Sequence, residues 1–196
     1  MASLLLAAAP GPGVTFLIAR TLSEGRSAGL AATAGVALGN FGNALGASLG
    51  LAALLALNAT LFAAVKWLGA AYLIALGIRH IARSTATKTT ERGIAERTRH
   101  FQDGFWVALL NPKTMLFFVA FLPQFLQTAT TSLQQILPLG TLFVLIALIS
   151  DSAYVLLAGR FARQLRNAID TRFGRYLTAA VYIGLGLLTG LTGFDQ

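Results

Sequence analysis

The sequence predicts an all-α polytopic membrane protein, one transporter domain of six transmembrane helices built as two inverted three-helix repeats. Composition is the first reason. Of 196 residues, 56% are hydrophobic and 11% charged, against roughly 25% charged in a soluble domain. The second reason is that apolar stretches close to bilayer length, about 20 residues, recur six times. The third is charge placement: all but two of the 15 basic residues fall in alternate connections.

The first stretch, about 3–19, contains no Lys or Arg, and the first base is Arg20. The basic flank that opens a secretory signal is therefore missing, and the stretch reads as a span that starts outside. It is interrupted at Pro10-Gly11-Pro12-Gly13. The second, about 31–55, carries Gly35, Gly39, Gly42, Gly46 and Gly50, which share a helical arc of roughly 80°. Such a stripe lets another backbone come close, within the bundle or from a second protomer, so a homodimer stays open. Asn43 flanks the stripe and can donate to a bound carboxylate or to a neighbouring helix. The third, about 60–78, holds Lys66 on the face of Ala70 and Gly77. Its ammonium either turns to the interior or snorkels to the outer headgroups. The fourth, about 105–125, breaks at Asn111-Pro112 with Lys113 directly after; the fifth, about 135–158, holds Asp151 and, one turn on, Tyr154; the sixth is about 176–193.

Arg20 and Arg26 follow the first span, Arg79 to Arg99 the third, and Arg160 to Arg175 the fifth, while the connections near Asn58 and at 124–135 carry no charge. The positive-inside rule then places both termini outside the cytoplasm. The hydrophilic stretch 79–104 divides the chain into halves of three spans (repeat one about 1–79, repeat two about 105–196). An odd number per half makes the second enter from the opposite side, the parity of an inverted repeat. Each half opens with an interrupted helix, and matched interruptions point to a binding site at mid-depth. Hydrocarbon tolerates neither a bare ammonium nor a broken helix, so Lys66, Lys113 and the breaks are expected to face protein or water. Asp151, read as the one acid within a span, is a candidate proton carrier, a partner for Lys66 or Lys113, or half of a static ion pair.

Other chemistries lack their residues. Cysteine is absent, and the two histidines, His80 and His100, fall in the expected cytoplasmic loop, where they are expected to be solvated. No ligand cluster lies within the spans, so neither a metal nor another cofactor is expected. No phosphate-binding glycine motif ending in Lys-Ser/Thr occurs, and no Ser-His-Asp set can assemble in the membrane. The chain is not expected to be an enzyme. The net charge of +8 follows the membrane rule and calls for no nucleic acid.

Pro10-Gly11-Pro12, the Gly35–Gly39 stretch, Lys66-Trp67-Leu68-Gly69-Ala70-Ala71-Tyr72-Leu73 with Gly77, Asn111-Pro112-Lys113 and Phe121-Leu122-Pro123-Gln124-Phe125 occur in an order and spacing that resemble the LysE/RhtB amino-acid exporters. The resemblance runs from about residue 4 to 193, and Asp151 with Tyr154 matches an acid and aromatic of the fifth span. It implies a bacterial inner-membrane protein that exports amino acids or close derivatives by proton antiport. Its partners would be a small amino-acid substrate, protons and the lipid bilayer. The expected substrate-binding set is Pro10, Gly11, Pro12, Asn43, Lys66, Asn111, Pro112, Lys113, Asp151 and Tyr154. Three departures stand out. Fewer residues precede the first proline than the pattern has, so the true start is expected upstream. Gly13 replaces a usual Asn, and Asn40 replaces an Asp found in many members, which either leaves proton coupling to Asp151 alone or makes the coupling differ. A related architecture that exports metal cations, and a non-transporting membrane protein, are the alternatives.

Overall fold

A computed structural model describes residues 11–48, 58–82, 90–121, 133–168 and 171–191. Pro10, Gly50, Arg83, Lys88 and the sequence after Phe121 in the Phe121–Phe125 motif lie outside the described residues. The described residues form helices α1 (Pro12–Glu24), α2 (Arg26–Ser48), α3 (Ala59–Ala82), α4 (Thr90–Leu109), α5 (Pro112–Phe121), α6 (Leu133–Ala168) and α7 (Thr171–Leu191).

The turn between α1 and α2 is a single residue. Gly25 has φ 96°, and its N–H bonds the Thr21 carbonyl. A side chain at that φ would be strained, so glycine is what lets two helices meet without a loop. The expected first cytoplasmic loop therefore does not exist: Arg20 and Glu24 belong to α1, and Arg26 opens α2.

Gly35, Gly39 and Gly42 of α2 find their partner inside the chain. A Cβ on Gly35 would collide with the Phe101 carbonyl oxygen, one on Gly39 would lie 2.6 Å from the Phe105 oxygen, and one on Gly42 3.1 Å from Leu109. From the other side Gly104 rests on the Ala32 carbonyl. Thus α2 and α4 run parallel with backbones in contact, the small-residue packing of membrane helices. Gly35→Ala is expected to force the helices apart and cost about 1–3 kcal/mol, read as a lower unfolding temperature in detergent. Gly93→Ala, where nothing lies within 4 Å, should be neutral or slightly stabilising.

Residues 90–104, expected as loop, are therefore helical for a tertiary reason. Their hydropathy is low, yet the segment supplies the backbone that the glycine stripe receives, and docking of that kind stabilises helices more than propensity does. The fourth apolar stretch is divided, as its Asn-Pro suggests, into α4 and α5. The helix of the fifth apolar stretch, α6, runs past 158 to Ala168, and that of the sixth, α7, begins at Thr171. Helices α2 and α6, and helices α3 and α7, lie antiparallel. Gly29 meets Val155 and Gly140 meets Ala44 between α2 and α6, while Gly77 meets Ala179 and Gly186 meets Ala70 between α3 and α7.

Among the described residues, α3 and the stretch Leu137–Ala162 of α6 are long and apolar enough to cross a membrane, and only 28% and 17% of their most apolar windows are buried. Their outward faces are apolar as well: Ile149 is 70% and Phe161 62% exposed. A surface of that kind suits lipid rather than water. The interior cluster, with Phe16, Leu17, Val36, Val107, Val155 and Tyr182, draws on every helix except α5.

Candidate functional site

The second break is built by one asparagine and one proline. The Leu110 N–H still reaches Trp106 O (3.0 Å) and Asn111 N reaches Ala108 O (3.2 Å), but Pro112 has no N–H to continue the ladder. Pro112 begins α5 instead, where its missing donor costs nothing. The Asn111 side-chain oxygen accepts the Lys113 N–H (3.0 Å), and its carbonyl accepts Met115 N–H (3.2 Å). Asn111 therefore ends one helix and caps the next. Two neighbours hold this joint. Asn43 Nδ2 donates to the Ala108 carbonyl (2.9 Å), and Gly69 admits the Leu110 carbonyl, whose oxygen would sit 2.5 Å from an added Cβ.

The start of α1 mirrors it in part. Pro12 opens α1, Gly11 stands at the cap in extended backbone, and no side chain caps the helix. Both the N–H (3.0 Å) and the hydroxyl (3.1 Å) of Thr15 bond the Gly11 carbonyl. An added Cβ on Gly13 would meet nothing within 4 Å among the described residues, so there is open space beside this helix end. The start of α1 meets the Asn111-Pro112 break: a Cβ on Gly11 would lie 3.3 Å from Lys113 Nζ. Two helix N-termini and an ammonium therefore share one place, each favouring negative charge.

The remaining expected residues lie elsewhere. Lys66 Nζ stands 5.6 Å over the Trp67 ring, partly buried on α3, one turn from Gly69. Asp151 is buried on α6, and the α2–α6 register places it level with Thr33; Tyr154 follows one turn on. Among the described residues Asp151 makes no ion pair with Lys66 or Lys113, so neither of those expected pairings is present.

A second cluster was not legible in the sequence. Arg20, expected in a loop, is 2% exposed and stacks on Phe16 and Tyr182 at 5.2 and 5.6 Å. Its Nη2 donates to Asp103 (2.8 Å) and its Nη1 to Glu24 (2.9 Å) and His100 Nδ1 (3.1 Å). Tyr72 donates to the other Asp103 oxygen (3.0 Å). His80 approaches Glu24 at 3.5 Å. The expected solvated histidines are thus corrected: His100 is buried and His80 largely so. Asp103, also expected in a loop, is a buried acid of α4. A guanidinium can only donate, so His100 Nδ1 accepts and the ring proton sits on Nε2, 3.5 Å from Glu24. Burial lowers the His100 pKa, with smaller opposing contributions led by Glu24, in keeping with a neutral ring. The available signals were slight: Glu24 four residues after Arg20, and Asp103 beside a glycine among aromatics.

Comparison with known proteins bears on both clusters. The LysE type translocator family profile matches residues 4–193. An uncharacterized membrane protein of Vibrio cholerae is 32% identical over 190 residues, 96% of this chain and 92% of that protein. A homoserine/homoserine lactone efflux protein of Salmonella typhimurium is 30% identical over 185 residues, 89% and 87% of the two chains. An uncharacterized membrane protein of Bacillus subtilis is 28% identical over 193 residues, 93% and 92%. No solved structure matches. With a match that takes in both helix breaks and the buried cluster, the chain belongs to the LysE type translocator family, a membrane transporter family.

Proposed function

We propose that the chain is a secondary exporter of amino acids or close derivatives across the bacterial inner membrane, coupled to proton entry. Six spans in two inverted repeats, with both termini outside the cytoplasm, would carry it. The observation on which this rests is Lys113, just past the Asn111-Pro112 break, lying against Gly11 at the start of α1. Interrupted helices that meet, with a fixed cation between them, form a site for a carboxylate inside a membrane protein. The antiparallel pairing of α2 with α6 and of α3 with α7 is the arrangement that a two-fold axis in the membrane plane produces.

In this reading the cargo carboxylate lies at Lys113 and the free N–H groups of α1 and α5, with Pro12 and Pro112 preserving the breaks. Asn43 keeps the α4 end in place through Ala108. Lys66 supports the carboxylate from α3. Asp151, with Tyr154 beside it, takes either a proton or the cargo ammonium, and that competition couples the two flows. The relative from Salmonella typhimurium bears a name that points to a small neutral amino acid, and a single carboxylate for the cargo amine fits that size of charge.

The test is export from proteoliposomes loaded with a panel of labelled amino acids, with an imposed pH gradient. Wild type should export faster when the proton gradient runs inward against the cargo. Asp151→Asn should lose the response to the gradient while keeping downhill exchange of cargo. An Asp151→Asn protein that still responds as wild type removes Asp151 from the coupling.

A further inference from the structure

Beneath the breaks, at the end of the bundle where the basic residues gather, lies a cavity of about 200 Å³ lined by Arg20, Arg79, His80, Arg99 and Asp103 with two apolar side chains. At ~30 Å³ per water that is room for about six waters, a size that suits a small amino acid. Three guanidiniums line it beside the Asp103 carboxylate; Arg20 and Tyr72 already engage that carboxylate, and Glu24 takes Arg20 as well. Arg20 is nearly fully buried, yet its Nε has no hydrogen-bond partner among the described residues, and neither does the buried Tyr182 hydroxyl next to it. Those two atoms adjoin each other, a donor beside an acceptor, so the cationic donors left for an acceptor brought in from outside are those of Arg79 and Arg99. The Nε of Arg79 makes only a long bond to the Ala75 carbonyl of its own helix (3.4 Å).

We infer that this cavity is a loading station for the cargo carboxylate on the cytoplasmic side, a site separate from the meeting of the breaks. Arg79 and Arg99 receive the carboxylate, Arg20 closes the inner wall, and Asp103 fixes Arg20. The inference rests on the export reading and adds to it a first station and the chemical group recognised there. Asp103 and Asn111 are eight residues apart on and just past α4, about 12 Å at ~1.5 Å per residue. A carboxylate leaving the arginines thus meets the Lys113 ammonium roughly one amino-acid length or two further on, so it passes between cations rather than through bare hydrocarbon.

L-Homoserine and homoserine lactone separate the possibilities, because the lactone has the same skeleton with its carboxylate closed into an ester. The full chain in phosphatidylcholine nanodiscs should bind labelled homoserine more tightly than the lactone. Arg79→Gln with Arg99→Gln should weaken homoserine roughly tenfold or more and leave the lactone unchanged. Arg79→Lys with Arg99→Lys should restore much of the loss, and Arg97→Gln, exposed and off the cavity, should change neither. Equal loss of both probes, no loss of either, or no binding of either at millimolar concentration overturns the inference. So does a homoserine affinity that falls when phosphatidylglycerol replaces half the lipid in wild type alone, since that assigns the cavity to a lipid phosphate. The export reading is judged apart, by gradient-driven transport of the amino-acid panel.

Discussion

Asp103→Ala is expected to lower stability by about 3–5 kcal/mol, the usual cost of stranding one member of a buried ion pair. The carboxylate is 3% exposed and receives Arg20 Nη2 at 2.8 Å and Tyr72 Oη at 3.0 Å. Without it the guanidinium stays locked between Phe16 and Tyr182 with only Glu24, which is 21% exposed, as counter-charge. For a chain of this size the loss corresponds to an unfolding temperature lower by about 10 °C, measured in mild detergent by fluorescence scanning. Glu24→Gln should cost less, because water already reaches Glu24. Replacing both partners, Arg20→Met with Asp103→Leu, should recover much of the stability, since an apolar pair of similar volume avoids the stranded charge. An Asp103→Ala protein that unfolds within 1–2 °C (roughly 0.5 kcal/mol) of wild type would deny the pair any structural role.

How far the sequence was readable depends on how local the cause is. Pro12, Gly11, Asn111 and Pro112 act through their own backbones, so the helix starts at Pro12 and Pro112 can be placed to the residue before any neighbour is known. The glycine face of α2 is equally plain as a face, but its partner is not. That partner is α4, and the part of α4 that Gly35 touches is among the least apolar sequence in the chain. Hydropathy reads 90–104 as loop because it scores side chains, whereas the contact is made by the Phe101 and Phe105 carbonyls. Arg20 and Glu24 are assigned to a loop for a related reason: they lie past the apolar run, and only the single-residue turn at Gly25 carries the helix on to include them. Burial of Arg20, His100 and Asp103 requires α1, α3, α4 and α7 to converge. Convergence is a property of the whole bundle, and no spacing along one helix encodes it. Lys66 and Asp151 show the reverse error, where lone charges in apolar stretches suggest a pair that the packing does not bring together.

Lys113→Gln is expected to abolish most export while leaving the protein folded. Lys113 lies on the exposed side of the joint, and its backbone N–H, not its ammonium, serves the Asn111 cap, so the substitution keeps the break intact and removes one charge. A charge-assisted hydrogen bond contributes about 1.5–3 kcal/mol, which corresponds to a roughly 10- to 100-fold weaker hold on a carboxylate. Apparent affinity for an amino acid in proteoliposomes should fall by that factor, and the unfolding temperature should stay near that of wild type. Gly11→Val probes the same place from the opposite break. Its Cβ would sit 3.3 Å from Nζ, so the flexible lysine end must move out of line with the α1 terminus, and export should fall with the lysine still present. Gly13→Ala, two residues on and free of neighbours within 4 Å, is the matched control. If Lys113→Gln transports with unchanged affinity, the ammonium does not hold cargo, and the meeting of the two breaks is a packing joint only. A fall in Gly11→Val together with Lys113→Gln, and not in Gly13→Ala, ties the loss to the point where the starts of α1 and α5 meet.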